Sequence, residues 1–270
     1  MGIVIKGTGM YVPERVLTNA DLEKMVETSD EWITTRTGIK ERHIADAATT
    51  TSMLACKAAE KALAMAGVSP QELDLITVAT VTPDKMFPNT AALVQRELGA
   101  RTCPCFDLEA ACSGLLYSLE VVHSILKANK NYRKALVIGA EKLSSIVDWT
   151  DRSTCVLFGD GAAALVLERD DSSDNDFYVA GKLAADGNYG DILHLPAGGS
   201  AMPASHETVD GRLHYIKMGG QETFKLAVTG MTNASKEVLA DAGVSPDQIA
   251  WVIPHQANHR IISAVAQRLA

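Results

Sequence analysis

The chain lacks long hydrophobic runs. No apolar stretch of about 18 residues occurs, so the sequence predicts no transmembrane helix. The first residues, MGIVIKGTGMYVPERV, lack the apolar core of a secretion signal. We therefore expect a cytoplasmic protein that has no membrane partner.

The chain also lacks a basic surface. It has 25 Lys and Arg residues against 33 Asp and Glu residues, which gives a formal net charge of −8. Non-specific binding to nucleic acid needs an excess of positive charge, so we predict no nucleic-acid partner. A local group of Arg and Lys side chains can still bind an anionic ligand on an acidic protein.

Cysteine is scarce and irregularly spaced. The five cysteines are an odd number and follow no secretion signal, which indicates reduced thiols rather than a disulfide framework. Cys103 and Cys105 flank a proline, but no second Cys or His pair stands at zinc-finger spacing. The sequence therefore predicts no metal site.

The residues that are present suit a large α/β core. Hydrophobic residues make up 47% of the 270 positions, which is enough for one large or two medium domains. Apolar runs such as 135–139 and 162–167 are continuous, as in sheets that are covered on both faces. Strands are predicted near 3–8, 73–80, 103–108, 134–140 and 162–168. Helices are predicted near 51–66, 89–98, 113–129 and 219–242.

An internal repeat organises the chain. The sequence Ala-Gly-Val-Ser-Pro begins at Ala66 and again at Ala242, 176 positions later, and each copy follows a predicted helix. The same offset aligns the strand at 3–7 with 179–183, and residues 71–78 with 247–254. We therefore predict a pseudo-duplicated layered α/β fold, with an N-terminal half at 1–172 and a C-terminal half at 177–270. The repeat places the partners of the strand at 103–108 and of Cys112 beyond Ala270, so we expect an incomplete C-terminal half.

Cys112 is the candidate nucleophile. It lies where a predicted strand gives way to a helix, in a turn of the small residues Ala110, Ala111, Ser113 and Gly114. The free N–H groups and the dipole at a helix start stabilise a thiolate, so we expect a lowered pKa for Cys112. The arrangement is similar to the nucleophile elbow of hydrolases, although no G-x-S-x-G sequence occurs. A buried, inert thiol is the alternative.

His255 is the second candidate catalytic residue. It follows a predicted strand at a turn marked by Pro254, in the second half of the repeat. A core histidine that is satisfied by backbone groups is the alternative. Paired with Cys112 across the two halves, His255 would be a catalytic group.

These positions belong to a set of motifs that resembles a known family. The motifs lie between residues 34 and 258, and the resemblance runs from residue 1 to residue 270. They are Thr34–Ile39 (TTRTGI), Thr82–Asp84 (TPD) with Phe87–Pro88, Ala110–Gly114 (AACSG), Gly139–Lys142 (GAEK), Asp148–Arg152 (DWTDR), Phe158–Gly161 (FGDG) and Pro254–Asn258 (PHQAN). The set resembles the β-ketoacyl-acyl-carrier-protein synthase III family.

The resemblance implies a thiolase-like α-β-α-β-α fold, a homodimer and a condensing reaction. Cys112 would take an acyl group from acyl-coenzyme A, which is a substrate, so no cofactor is expected. Malonyl-acyl carrier protein would then lose CO2 and attack the acyl-cysteine. His255, in its neutral form, would donate a hydrogen bond to the thioester oxygen as enolate charge develops.

The resemblance also assigns binding roles. The coenzyme A nucleotide would be held by Trp32, Arg36 and Arg152, and the pantetheine arm by Met218, Phe224 and Asn258. Phe87 would reach the acyl pocket of the second subunit. The acidic carrier protein would dock on Lys225, Arg260 and Arg268.

The sequence departs from the family in one respect. The third catalytic group of the family, an Asn in a Gly-Asn-Thr-Ser loop, would lie beyond Ala270. We therefore expect the 270-residue chain alone to be inactive, with a C-terminal segment that is either supplied by a separate chain or missing. Two other functions remain open: a related Cys-His-Asn condensing enzyme of secondary metabolism, and a non-catalytic thiolase-fold partner.

Overall fold

The computed structural model describes residues 1–269. The strands are β1 (Gly2–Tyr11), β2 (Val16–Thr18), β3 (Glu41–His43), β4 (Leu75–Ala79), β5 (Cys105–Leu108), β6 (Lys134–Lys142), β7 (Asp160–Asp170), β8 (Leu193–His194) and β9 (Lys217–Met218). The helices are α1 (Asn19–Leu22), α2 (Asp30–Thr37), α3 (Thr51–Ala66), α4 (Thr90–Glu97), α5 (Gly114–Ala128), α6 (Arg152–Cys155), α7 (His206–Asp210), α8 (Gly220–Ala242) and α9 (His259–Leu269).

A mixed five-stranded sheet forms the centre of the fold. Its strand order is β1-β7-β6-β4-β5. The β6-β4 and β4-β5 pairs are parallel, whereas β1-β7 and β7-β6 are antiparallel. The five strands and four helices that the sequence predicts are all present, with small differences at their ends.

The two faces of this sheet carry separate cores. On β6, Leu136 and Ile138 pack with α3, whereas Ala135 and Val137 pack with α5. Successive side chains of a strand point to opposite faces, so a strand that is buried on both faces needs an uninterrupted apolar run. The prediction that the sheet is covered on both faces is therefore confirmed.

The close approach of β1 to α3 depends on glycine. A Cβ atom on Gly9 would overlap with the backbone oxygen of Ala58. Because backbone atoms cannot give way as a flexible side chain can, we expect Gly9→Ala to lower the free energy of unfolding by about 1–3 kcal/mol. Urea denaturation measures the change.

Gly230→Ala is the control variant, because Gly230 is inside α8 with open space around it. There we expect a gain of up to about 1 kcal/mol; an equal loss in both variants would contradict the argument.

The internal repeat is visible in the structure. Helices α3 and α8 both end at a glycine with left-handed backbone, Gly67 with φ 64° and Gly243 with φ 63°. Each is followed by a short 3₁₀ turn that starts with a Ser capping box, at Ser69 and at Ser245. The repeated sequence thus encodes one helix–turn unit twice.

The strands that should flank the second copy are not formed. Residues 179–183 have no regular structure, and Ile249–Pro254 is coil in which Trp251 is 84% exposed. An extended segment becomes a strand only when a neighbour accepts and donates its backbone hydrogen bonds. Within residues 1–269 neither segment has a strand neighbour. The prediction that His255 follows a strand is therefore wrong, as is the strand predicted at 179–183.

Backbone contacts divide the chain into two compact units. The first comprises Met1–Val16, His43–Leu143 and Gly159–Val179, and it contains the five-stranded sheet. The second comprises Leu17–Arg42, Ser144–Phe158 and the chain from Ala180 onward. The division at 172–177 stays a prediction, but two segments that precede it join the second unit. No helix of residues 1–269 is long and apolar enough to cross a membrane.

Candidate active site

The first unit presents Cys112 on a strained turn. Strand β5 ends at Leu108, a 3₁₀ turn spans Ala111–Ser113, and α5 begins at Gly114. Ala111 has a φ of 44°, a left-handed conformation that is costly for a residue with a side chain. Cys112 follows it and is exposed. The predicted strand–turn–helix arrangement is confirmed, and Cys112 is not a buried thiol.

Specific contacts hold this turn. The Ala111 N–H donates to the Glu109 carboxylate at 3.1 Å, and the Ser113 N–H donates to the Ala110 oxygen at 3.0 Å. A Cβ on Gly114 would lie only 3.0 Å from the Cβ of Ala79, so glycine favours this close start of α5 beside β4. Contacts on both sides of Ala111 thus hold its backbone in the strained conformation.

The predicted direction of the pKa shift at Cys112 is wrong. Desolvation by nearby protein atoms raises the pKa of the thiol, and the Glu141 charge raises it further, whereas the backbone N–H of Cys112 acts in the opposite direction. The residue as a whole is nevertheless exposed. The helix start does not compensate, because the N–H groups of Ala111 and Ser113 already have acceptors. The resting thiol is therefore protonated.

Glu141, at the end of β6, has a structural role that the sequence analysis did not assign. Its carboxylate accepts hydrogen bonds from the Val81 N–H at 2.8 Å and from the Thr82 hydroxyl at 2.5 Å. Burial raises the pKa of Glu141, and these bonds partly offset that rise. The carboxylate therefore fixes the loop after β4. A Glu at the end of a buried strand was the sequence signal that could have predicted this role.

Removing the Glu141 charge should make Cys112 more reactive. Glu141→Gln keeps the shape of the side chain and a carbonyl oxygen for the Val81 N–H. Since the negative charge raises the pKa of Cys112, its loss lowers that pKa and increases the thiolate fraction at pH 7. We expect faster alkylation by iodoacetamide and a pH profile that is shifted to lower pH, measured on the Cys112 peptide by mass spectrometry.

Glu168→Gln is the matched control for this charge. Glu168 lies on β7 of the same sheet and pairs loosely with Lys6 at 4.0 Å. Its replacement should leave the alkylation profile of Cys112 unchanged. An unshifted profile in Glu141→Gln would show that the carboxylate does not act on the thiol.

The second unit brings together the three residues that were predicted to bind the nucleotide. The guanidinium carbons of Arg36 and Arg152 lie 4.9 Å and 5.0 Å from the centre of the Trp32 ring. Arg152 also donates to the backbone oxygen of Glu27 at 2.8 Å. We call Trp32, Arg36 and Arg152 the aromatic clamp. A flat aromatic face and two delocalised cations suit an aromatic base that carries phosphates.

His255 lies in the second unit, in the loop before α9. The residue is exposed, yet nearby protein atoms desolvate its ring and lower the pKa. The imidazole is therefore neutral at pH 7 and carries one N–H donor.

The residues that were predicted to line the pantetheine tunnel lie around α8 and α9. Met218 ends β9, and Phe224 lies on α8 with the Arg260 guanidinium 5.6 Å from its ring centre. The Asn258 side-chain oxygen accepts the Arg260 N–H at 2.8 Å. Asn258 thus caps α9, which leaves its amide N–H₂ for a ligand.

The predicted carrier-protein residues are exposed. Lys225 follows Phe224 on α8, Arg260 is in the first turn of α9, and Arg268 is in the last turn of α9. The three cations therefore lie on two helices that pack against each other through Val228, Ile261 and Val265.

Two further predictions concern the residue that was expected to reach a second subunit and the absence of a metal site. Phe87 is 85% exposed and follows Met86, which is also exposed. All five cysteines are free. In residues 1–269 no group of three or more His, Cys, Asp or Glu side chains could hold a metal ion.

Known proteins are similar to this chain over almost its whole length. The family 3-oxoacyl-[acyl-carrier-protein] synthase III matches residues 106–187, and its C-terminal family matches residues 239–270. The β-ketoacyl-[acyl-carrier-protein] synthase III of Caldanaerobacter subterraneus subsp. tengcongensis is 55% identical over 266 residues, or 98% of this chain and 79% of the relative. That of Aquifex aeolicus is 52% identical over 269 residues, or 100% of this chain and 81% of the relative.

Solved structures agree with these matches. The crystal structure of the Aquifex aeolicus synthase is 51% identical, with a TM-score of 0.89 over 99% of this chain and 81% of that chain. The priming β-ketosynthase of the R1128 polyketide pathway is 32% identical, with a TM-score of 0.88 over 99% of this chain and 78% of that chain. The predicted thiolase-like layered α/β fold class is confirmed.

The same matches do not bear out two expectations. One is that a C-terminal segment is missing, and the other is that the chain is inactive because a catalytic Asn is absent. The family itself is clear, because relatives more than half identical align with 98% to 100% of this chain. The chain belongs to the β-ketoacyl-[acyl-carrier-protein] synthase III family.

Proposed function

We propose that this chain is a condensing enzyme that initiates fatty-acid synthesis, with Cys112 as its acyl-accepting nucleophile. The observation that carries the proposal is the strained turn at Ala111, which presents an exposed thiol at the start of α5. Relatives that are named β-ketoacyl-[acyl-carrier-protein] synthase III support the reaction class at 55% identity.

In the first half-reaction, the Cys112 sulfur attacks the carbonyl carbon of an acyl-coenzyme A. The bond from that carbon to the coenzyme A sulfur breaks, and an acyl-cysteine forms. Because its raised pKa keeps the resting thiol protonated, the proton must leave during this step. It is taken up by the departing coenzyme A sulfur, so charge and atoms balance. The backbone N–H of Cys112 can stabilise the tetrahedral oxyanion.

In the second half-reaction, malonyl-acyl carrier protein loses its carboxylate as CO2. The electron pair of the broken carbon–carbon bond moves into the thioester, and neutral His255 donates a hydrogen bond to its oxygen. The carbanion then attacks the acyl-cysteine and expels the Cys112 sulfur as a thiolate, which leaves a β-ketoacyl-acyl carrier protein. The thiolate takes a proton from water and returns to the resting thiol. No bound cofactor or metal takes part in this proposal, and five free thiols suit a reducing cytoplasm.

The proposal also assigns binding roles to the residues around the aromatic clamp, α8 and α9. The aromatic clamp would hold the nucleotide, while Met218, Phe224 and the amide of Asn258 would contact the pantetheine arm. Lys225, Arg260 and Arg268 would attract an acidic carrier protein despite the net charge of −8.

We also propose a homodimer. Phe87 is apolar and 85% exposed, and β5 is an edge strand of the five-stranded sheet within the described residues. An unpaired edge beside exposed apolar side chains suits a second copy of the chain.

The test is incubation with acetyl-coenzyme A followed by peptide mass spectrometry. One acetyl group on Cys112 and release of free coenzyme A are the expected results. Adding malonyl-acyl carrier protein should then discharge the acetyl group and yield CO2. No adduct on the folded chain would favour a non-catalytic partner.

The starter unit is decided by the same assay. Isobutyryl-coenzyme A and longer acyl-coenzyme A substrates are compared with acetyl-coenzyme A by kcat/KM. The 32% identity with a polyketide priming ketosynthase makes this comparison informative. A strong preference for a long or branched starter would favour the secondary-metabolism alternative.

A further inference from the structure

A buried arginine in the second unit forms no ion pair with a carboxylate of residues 1–269. Arg42 is 3% exposed, and its hydrogen bonds go to neutral oxygen atoms. Within the described residues no carboxylate lies within 4.0 Å of it. Burial lowers its pKa, which reflects the cost of removing the guanidinium from water. A charge buried at such a cost calls for an explanation beyond packing.

Its hydrogen bonds connect two distant segments. The Nε and Nη2 groups both donate to the backbone oxygen of Val156, at 3.1 Å and 2.6 Å. The Nη1 group donates to the side-chain oxygen of Asn19 at 2.6 Å. One planar guanidinium thus bonds to two acceptors that are far apart in the sequence. A lysine ammonium is a compact point charge and cannot reproduce this forked geometry.

Asn19 carries the connection onward to α2. It is 2% exposed, and its amide nitrogen donates to the Asp30 carboxylate at 2.7 Å and to the Ile39 oxygen at 2.9 Å. Asp30 begins α2, and Ile39 follows that helix. Asn19 therefore holds α2 at both of its ends.

The hydrogen bonds of Arg42 and Asn19 reach the two helices that carry the aromatic clamp. Helix α2 carries Trp32 and Arg36, and Val156 is the C-terminal cap of α6, which carries Arg152. The guanidinium of Arg152 lies 5.0 Å from the centre of the Trp32 ring, so the spacing of these two helices decides the geometry of the clamp. Arg42 bonds both to Asn19, which holds α2, and to Val156, which caps α6.

We propose that Arg42, acting through Asn19 and Val156, is a positioning residue that sets the spacing of the aromatic clamp for the nucleotide of coenzyme A. The inference rests on the proposed function, because it takes acyl-coenzyme A as the substrate. It assigns Arg42 no contact with substrate. Its effect passes through the distance between α2 and α6, since small displacements of a binding group cost much affinity.

Arg42→Met should weaken nucleotide binding without slowing the chemistry. We expect the Kd of free coenzyme A, measured by calorimetry, and the KM of acetyl-coenzyme A to rise by about tenfold. The kcat at saturation should stay within about twofold of the wild-type value. Arg42→Lys should behave almost as Arg42→Met does, because it loses the fork that joins the two segments.

A substrate without a nucleotide separates positioning from general damage. The acetyl thioester of N-acetylcysteamine has the reacting carbon and sulfur but no adenine or phosphates. Wild type and Arg42→Met should use it with the same kcat/KM. An equal loss with this short thioester and with acetyl-coenzyme A would overturn the proposal.

Arg169→Met is the matched control. Arg169 is 5% exposed and hydrogen-bonded to Asp171 at 2.7 Å, but it belongs to the first unit. Its loss should lower the melting temperature and leave the Kd of coenzyme A unchanged. A tenfold rise in that Kd for Arg169→Met, of the size expected for Arg42→Met, would also overturn the proposal.

Two outcomes keep this inference separate from the proposed function. If wild type is not acylated by acetyl-coenzyme A, the proposed function fails. If it is acylated while Arg42→Met binds coenzyme A as wild type does, only the positioning role fails. Should Arg42→Met not fold, Asn19→Ser breaks the same connection with a smaller change, and an unchanged Kd for coenzyme A in that folded variant overturns the proposal.

Discussion

Cys112→Ala is expected to abolish both acylation and condensation. The variant retains no atom that can form the thioester, so the rate of acyl transfer should fall by a factor on the order of 10⁴ or more. The fold should be unaffected, because Cys112 is exposed and the strained backbone belongs to Ala111. Acylation by acetyl-coenzyme A, followed by intact-protein mass spectrometry, measures the effect.

Two companion variants sharpen this result. Cys112→Ser keeps the size of the side chain but has a far weaker nucleophile, so it should acylate only slowly. Cys103→Ala removes a half-buried thiol elsewhere in the first unit and should be acylated as wild type is. Persistent acylation of Cys112→Ala would place the acyl group on another residue and would refute the assignment.

His255→Ala should separate the two half-reactions. Since His255 is assigned to stabilise the enolate, its loss should slow condensation by about 10²–10³-fold. Acylation of Cys112 should continue at a comparable rate. Single-turnover mixing of the acyl-enzyme with malonyl-acyl carrier protein measures the second step alone. Equal losses in both steps would mean that His255 acts before the malonyl group arrives.

The pH dependence gives an independent check on His255. Its lowered pKa means that the neutral donor persists to a more acidic pH than for a free imidazole. Condensation by the wild-type acyl-enzyme should therefore fall only below the ordinary pKa of histidine. His206→Ala, at an exposed position on α7, should leave this profile unchanged.

The parts of the fold that were predictable are those whose signals are local. The apolar run of β6 and the glycine that ends α3 each specify their element within a few residues. Residues 179–183 and Ile249–Pro254 have comparable sequence signals but no strand neighbour among the described residues. A strand is a property of a pair, so single-segment patterns cannot decide whether it forms.

In the candidate active site, too, only the features with local sequence signals were predictable. The position of Cys112 was predictable because a strand, small residues and a helix follow one another in the sequence. Its raised pKa was not, because the shift comes mainly from desolvation by the folded protein around the thiol. The further rise comes from the charge of Glu141, which is distant in the sequence and lies on β6. Arg42 had no distinguishing signal, since it stands between two other polar residues, Glu41 and His43, in a short strand. Only its burial reveals it.

The second unit is built from segments that are far apart in the sequence, and this affects how it forms during synthesis of the chain. The bond from Arg42 to Val156 joins positions 114 residues apart. At a translation rate of about 5–20 residues per second, the acceptor leaves the ribosome roughly 6–23 s after the donor. During that interval the Arg42 guanidinium stays in water, so the clamp cannot form until Val156 has been synthesised. The long sequence separation of this bond therefore limits how early the clamp can form on the nascent chain.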